Sequence, residues 1–237
     1  MAIPQYLAMT AAEMQNCPRF PAHIGWMACH FSPYGTGLSN LPQSLPEDSL
    51  LILNDRTPIF HHDPVRIAEE LAACIEAFRC RGLLLDFQRP GNEELSVLVQ
   101  TLQPSLPCPV AVSDLYAADA ECAVFLPPVP LHLPLGEYIS PWQNREIWLE
   151  MAPDCETITI TEQGALFTGD NPEEIREGGF ADETLHCHYQ ISTEEDQIRF
   201  QLHRSREDLE ALAAEAEAYG VTNAVGLYQQ FPFDHFG

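Results

Sequence analysis

The residues of this chain best able to do chemistry lie in one short run, Gly82-Leu83-Leu84-Leu85-Asp86-Phe87-Gln88-Arg89-Pro90. Taken as a strand with a two-residue period, it puts Leu84, Asp86 and Gln88 on one face and Leu83, Leu85 and Phe87 on the other. A carboxylate ending so apolar a strand is costly unless it reaches a polar mouth or finds donors. Asp86 therefore either serves a site, caps a turn or pairs with Arg89. A second carboxylate, Glu150, follows Trp148 by two residues in the run Glu146–Met151. A carboxyl held against an indole keeps its proton to higher pH and can act as an acid. The alternative is that Trp148 fills a core and Glu150 pairs with an arginine. Tyr228 and Gln230 share one face of a run ending at Gln230, and Asp55 and Asp114 end two further runs. These last two either line a site or satisfy loop backbone groups. An aromatic floor with a few convergent polar groups suits a sugar-sized ligand.

Metal and cofactor chemistry is poorly represented. His186 and His188 flank Cys187 at a spacing compatible with a metal, but local sequence fixes no third ligand, and a solvent-facing strand explains them equally. In His61-His62-Asp63, the aspartate is better explained as a helix cap. No GxSxG, GxGxxG or HExxH motif occurs, so no cofactor and no resident metal are expected.

The elements that must position these groups follow from apolar runs. Candidate strands are Gln5–Met9, His23–His30, Ser49–Asp55, Gly82–Gln88, Pro109–Asp114, Cys122–Leu126, Glu146–Met151 and Ala224–Gln230. Near-continuous apolar strands of this kind imply a parallel sheet covered on its outer face. Three helices have readable signals. Asp63 caps and Pro64 opens the first, with Ile67, Leu71, Cys74, Ile75 and Phe78 in one stripe. Asn92 caps the second; the third starts at Ser205 with Asp208 three residues on and stops at Gly220. This repetition predicts an α/β fold, a (β/α)8 TIM barrel, with a doubly wound sheet as the alternative. Residues 156–203 break the repeat. Thr157–Thr168 alternates with period two around Gln163–Gly164, and Leu185–Gln190 with Gln197–His203 make a second strand pair joined by the acidic turn Ser192–Asp196. Asn171–Glu183 reads as a loop. The expectation is one domain over 1–237, with 156–203 a hairpin-rich insertion between barrel strands seven and eight.

Composition excludes several functions. The 237 residues include 11 arginines, no lysine and 35 acidic groups, for a net charge of −24. Schiff-base, pyridoxal-phosphate and phosphate-loop lysine chemistry are therefore absent. A nucleic-acid partner needs a basic surface that this chain lacks. The opening, Met1 to Asn16, lacks the basic start and apolar run of a secretory leader, and no run approaches about 18 apolar residues. The chain thus reads as cytoplasmic, without a membrane partner. None of the eight cysteines forms a CxxC pair, and several sit in apolar runs, which favours buried thiols over disulfides.

The Gly82–Pro90 stretch resembles the signature strand of the chitinase-like family 18 glycoside hydrolases, G-x-D-x-D-x-E followed by an aromatic residue and proline on the fourth barrel strand. Gly82, Asp86 and Pro90 match, Phe87 stands for the usual tryptophan, and Arg89 replaces the aromatic. Leu84 replaces the first aspartate and Gln88 occupies the catalytic glutamate position. Phe200–Ser205, the helix after it and Ala224–Tyr228 resemble the last strand–helix–strand of the spore-cortex and germination branch. Tyr228 falls where that branch has a tryptophan flooring the sugar site, and the insertion resembles the small α+β excursion of many members. The resemblance implies a mechanism in which the substrate's N-acetyl oxygen attacks the anomeric carbon while the glutamic acid protonates the leaving oxygen. The neutral amide of Gln88 cannot deliver that proton, and losing general acid help costs roughly 10²–10⁴ in rate. The sixth strand runs into Pro127-Pro128 and lacks the tyrosine–aspartate pair with which the family holds the acetamide. The expected ligand is a carbohydrate or peptidoglycan-like fragment, bound by Asp86, Gln88, Trp148, Tyr228, Gln230, Asp55 and Asp114 without efficient hydrolysis. Two alternatives remain: a glycoside hydrolase using Glu150 as acid, and a protein-interaction scaffold contacting partners through the acidic insertion.

Overall fold

The computed structural model describes residues 3–17, 20–169, 179–194 and 196–231. The chain divides into two compact units, one built from Pro4–Pro127, Trp142–Glu150 and the residues from Val221, the other from the residues up to Ile3, Pro128–Pro141 and Met151–Gly220.

The first unit holds a closed parallel barrel. Its strands are β1 (Gln5–Met9), β2 (Ile24–Phe31), β4 (Leu50–Asn54), β5 (Gly82–Asp86), β6 (Val110–Ser113), β7 (Ala123–Leu126), β8 (Ile147–Glu150) and β14 (Val221–Leu227). They follow the ring order β1-β14-β8-β7-β6-β5-β4-β2, and pairing of β2 with β1 closes it. The short β3 (Leu38–Ser39) adds antiparallel to β2. The chain therefore adopts the expected (β/α)8 architecture, and five further strands between Cys155 and His203 intervene between its seventh and eighth strands.

Helices α1 (Ala11–Asn16), α2 (Pro64–Phe78) and α3 (Glu93–Leu102) belong to this unit. Asp63 Oδ1 accepts from the Val65 and Arg66 amides, and Asn92 Oδ1 accepts from Glu94 and Leu95, so both caps form as the sequence implies. Ile67, Leu71, Cys74 and Ile75 of α2 pack with Leu95, Leu98, Val99 and Leu102 of α3 against the outward residues Leu83 and Leu85 of β5 and Phe87 just beyond it. Two connections lack an α-helix. The β2–β4 link passes through β3, and the β6–β7 link makes one 3-10 turn, Asp114–Tyr116. There Arg145 stands in for a helix by donating to the carbonyls of Ala117, Ala120 and Cys122.

Inward residues form a separate interior: Tyr6, Leu50, Ile52, Leu84, Ala111, Phe125, Trp148 and Val225. Trp148 is its largest member and is 1% exposed. A Cβ on Gly82 would lie 2.9 Å from Trp148 Cη2, so the glycine opening β5 makes room for the indole. No disulfide forms among the cysteines. Cys29, Cys74 and Cys80 are buried in the outer core, and burial pushes the Cys74 thiol up to about 12 and the Cys80 thiol to about 11.

The second unit holds α4 (Leu135–Ile139), α5 (Arg206–Ala218) and a five-stranded antiparallel sheet. Its strands are β9 (Cys155–Thr161), β10 (Gly164–Gly169), β11 (Phe180–Asp182), β12 (Cys187–Glu194) and β13 (Gln197–His203), in the order β10-β9-β13-β12-β11. Ser205 and Asp208 form a reciprocal capping box on α5, and Gly220 takes the positive φ of 85° that ends it. Two expectations are corrected here. Phe180–Asp182 is a strand inside the stretch read as a loop, and β12 runs through Glu194, so Ser192–Glu194 belong to a ladder instead of a turn. The rest of that stretch, residues 171–178, lies outside the described residues.

Candidate functional site

Strand register decides which polar groups meet at the C-terminal end of the barrel. His30 of β2 pairs with Asn54 of β4, and Asn54 with Asp86 of β5, so the three stand in one row across neighbouring strands. Ile52 and Leu84, two residues back along β4 and β5, lie in the barrel interior, so Asn54 and Asp86 face inward too. Asn54 Nδ2 donates to the Met27 carbonyl at 2.8 Å; the His30 ring meets Thr57 Oγ1 at 3.1 Å and Asn40 Nδ2 at 3.0 Å. Met27 and Leu227, both partly buried, pack on the interior below. Sequence reading missed His30. Its signal was its place at the end of an apolar run, but the register shift between Trp26 and Cys29 breaks the alternation that would have assigned its face.

Asp86 and Gln88 are brought together. The Gln88 amide Nε2 donates to Asp86 Oδ1 at 2.5 Å. Burial raises the Asp86 carboxyl above its ordinary range, the Gln88 amide pulls it back, and the nearby Asp55 charge raises it again; the net shift is upward. The loop that carries Gln88 is fixed from below. Asp55, 4% exposed, accepts from the Gln88 amide N–H at 3.1 Å and the Arg89 N–H at 3.0 Å. Ser113 Oγ donates to the Phe87 carbonyl at 2.7 Å, and the Tyr116 hydroxyl donates to the Arg89 carbonyl. Asp55 thus positions Gln88 through the backbone, one of the two roles its sequence left open. Tyr116 is a support that sequence reading missed, since nothing local links it to a loop 27 residues earlier.

The remaining candidates separate. Trp148 is corrected from ligand floor to barrel filler. Its Nε1 donates to Glu146 at 3.1 Å and its ring reaches Gly82, so the indole lies toward the N-terminal ends of the strands. Glu150 ends β8, half-buried and in register with Val225. Tyr228 and Gln230 are corrected in register: β14 stops at Leu227, and both belong to the 3-10 turn Tyr228–Gln230. The inward residues of β14 are Val225 and Leu227. The Tyr228 hydroxyl instead meets Cys17 Sγ at 3.5 Å, Gln230 is exposed, and β14 stands across the eight-membered ring from β5. Asp114 opens the 3-10 turn, and its Oδ1 accepts from the neighbouring Leu115 amide at 2.9 Å.

His186 and His188 pair with carboxylates of α5: His186 Nε2 with Glu215, and His188 Nδ1 with Asp208 at 2.8 Å. Among the described residues no group of three His, Cys, Asp or Glu side chains could hold a metal ion, and no helix is long and apolar enough to cross a membrane.

The raised Asp86 carboxyl gives a pH prediction. Because its folded pKa lies above the unfolded one, its contribution to stability is complete at low pH and is lost as pH rises through the folded value. Asp86→Asn removes the buried charge and keeps an oxygen for Gln88. Thermal melts are expected to show the variant more stable than wild type at pH 7, with the gap closing toward pH 4. A gap that stays constant over that range contradicts the assignment.

Neither a protein-family model nor a curated protein matches the sequence. Solved structures do match the fold. A family 18 N-acetylglucosaminidase from Paenibacillus barengoltzii aligns with a TM-score of 0.65 at 9% identity, over 98% of this chain and 97% of that one. The spore cortex-lytic enzyme SleL of Bacillus cereus aligns at 0.60 and 8% identity, over 99% of this chain and 75% of that one. A glutamate-to-glutamine and glycine-to-tryptophan double mutant of a Cycas revoluta family 18 chitinase, solved with a tetramer of N-acetylglucosamine, aligns at 0.58 and 11% identity over 94% of each chain. With its closed ring and these alignments, the chain has the fold of the family 18 chitinases.

Proposed function

We propose that the protein binds a glycan or peptidoglycan-like cell-wall fragment at the barrel mouth without hydrolysing it efficiently. The observation that carries this reading is the Gln88 amide on Asp86 at 2.5 Å. An amide in that place offers hydrogen bonds to a sugar and no proton to a leaving oxygen. His30, Asn54, Asp86 and Gln88 supply polar groups above the apolar Met27 and Leu227, the composition of a small-ligand site. The Cycas revoluta variant supports the idea that a barrel of this fold carrying a glutamate-to-glutamine change can hold an N-acetylglucosamine chain.

Calorimetric titration with N-acetylglucosamine oligomers and muropeptide fragments tests the proposal. Heat is expected from wild type and not from Asp86→Ala, and silence across the whole panel overturns it. A second reading, hydrolysis with Glu150 as acid, is favoured by its half-buried place at the mouth end of β8. Aryl glycoside turnover that persists in Glu150→Gln removes that reading.

A further inference from the structure

The sheet of β9–β13 has two unlike faces. Along one run Thr157, Thr159, Arg199, Gln201, His188 and Gln190, a face polar except for Leu166 on the edge strand β10. The other is apolar, and its register is continuous. Phe167, Ile158, Phe200 and Ile191 form a row across β10, β9, β13 and β12, with Ile160 beside Ile198 in the next row toward the turns. One end of this face is covered, since Cys187 and Leu202 are buried with Leu131. Ile158, Phe200 and Tyr189 pack against that buried group, and the His132 ring lies against Phe167. Toward the turns and the β11 edge the face stays open: Phe167 is 48% exposed, Ile160 41%, Ile198 42%, Ile191 49%, and Phe180, beside Tyr189, 63%. Folded monomers seldom show water so continuous an apolar surface without using it for contact.

We propose that this face docks a partner protein through an amphipathic segment whose apolar side chains are flanked by lysine or arginine. Charge fixes the kind of partner. Among the described residues of these strands the one arginine, Arg199, lies on the polar side, and the imidazole that meets Phe167, His132, is already paired with Glu156. At its outer edge the two hairpin turns bound a shallow cleft lined by Thr161, Glu162, Gln163, Glu194, Asp196 and Gln197. An apolar strip ending in carboxylates matches a segment with basic flanks. A glycan fits poorly, since rows of isoleucine offer it no hydrogen bonds. A second copy would bring two chains of charge −24 together at their acidic turns. The inference is independent of the glycan reading, which concerns the barrel mouth.

The test uses the full chain and a fluorescein-labelled synthetic helix of about 18 residues, long enough to hold its shape, with a leucine stripe and lysine–arginine flanks. A sister peptide carries glutamate flanks. Anisotropy is expected to show salt-sensitive binding of the basic peptide and none of the acidic one. Binding is expected to weaken about tenfold in the double variant Ile160→Thr, Ile198→Thr, which keeps strand-forming residues. It is also expected to weaken in Glu162→Gln, Asp196→Asn, which leaves the apolar rows untouched and decides the matter should the first variant misfold. Absent binding, equal binding of the two peptides, or binding indifferent to both variants overturns the proposal. So does a wild-type dimer in sedimentation that the isoleucine changes dissolve, since a second copy is then the occupant. Binding of N-acetylglucosamine oligomers is expected to be unchanged in both variants, so failure here and failure at the mouth are distinguishable.

Discussion

Introducing two carboxylates, with Leu84→Asp and Gln88→Glu in one chain, is expected to leave chito-oligosaccharide hydrolysis at background and to cost the fold about 3 kcal/mol or more. Leu84 is 1% exposed inside the barrel, between Ile52 and Ala111 on the neighbouring strands, and neither offers a donor to a carboxylate. Gln88→Glu places a second carboxyl at the 2.5 Å contact with Asp86, where the two can keep only one charge between them. On the glycan-binding reading proposed above, an acid installed in this way would lack the tyrosine–aspartate pair expected to hold an acetamide, because β7 runs directly into Pro127-Pro128. Denaturant unfolding at pH 5 and pH 7 checks the energetic half. The single Gln88→Glu variant is expected to lose stability relative to wild type as pH rises, since its shared proton must leave. Release of nitrophenol from N-acetylchitobioside checks the chemical half. Strong turnover in the double variant sinks the view that several losses separate this mouth from a working chitinase.

Trp148→Ala is expected to destabilise the protein by about 3–5 kcal/mol, the range for emptying a buried tryptophan site. The upper part of that range applies, because Gly82 opposite the indole has no side chain to relax into the space. Chemical denaturation measures the loss. At a temperature where the variant is folded, affinity for N-acetylglucosamine oligomers is expected to stay within about twofold of wild type, since the ring lies toward the N-terminal ends of the strands. A large loss of affinity without loss of stability would return Trp148 to the ligand site.

The contrast between β5 and β14 shows what sequence could and could not reveal. On β5 three consecutive leucines precede Asp86, and the two-residue period alone assigned Leu84 and Asp86 inward and Leu83 and Leu85 outward, as found. On β14 the register shifts between Val221 and Asn223, and Thr222 is exposed, so the polar opening hid the true start. Beginning the strand at Ala224 carried it past Leu227 and set Tyr228 and Gln230 on a face that does not exist. Trp148 failed for a different reason. Whether an inward indole floors a mouth or plugs a core depends on the residue opposite, here Gly82 on a strand three places around the ring. Asp55 was undecidable for the same cause, as its two partners lie 33 and 34 residues later in the chain. Periodicity reports faces; depth and partners are set by distant strands.

The sulfurs sealed beneath α2 and α3 give the chain a reporter of its own. Cys29, Cys74 and Cys80 are almost wholly shut off from solvent, and burial holds each as an unreactive thiol. An alkylating reagent can reach them only when the outer layer parts from the barrel, so their labelling kinetics at neutral pH count openings of that layer, one irreversible event at a time.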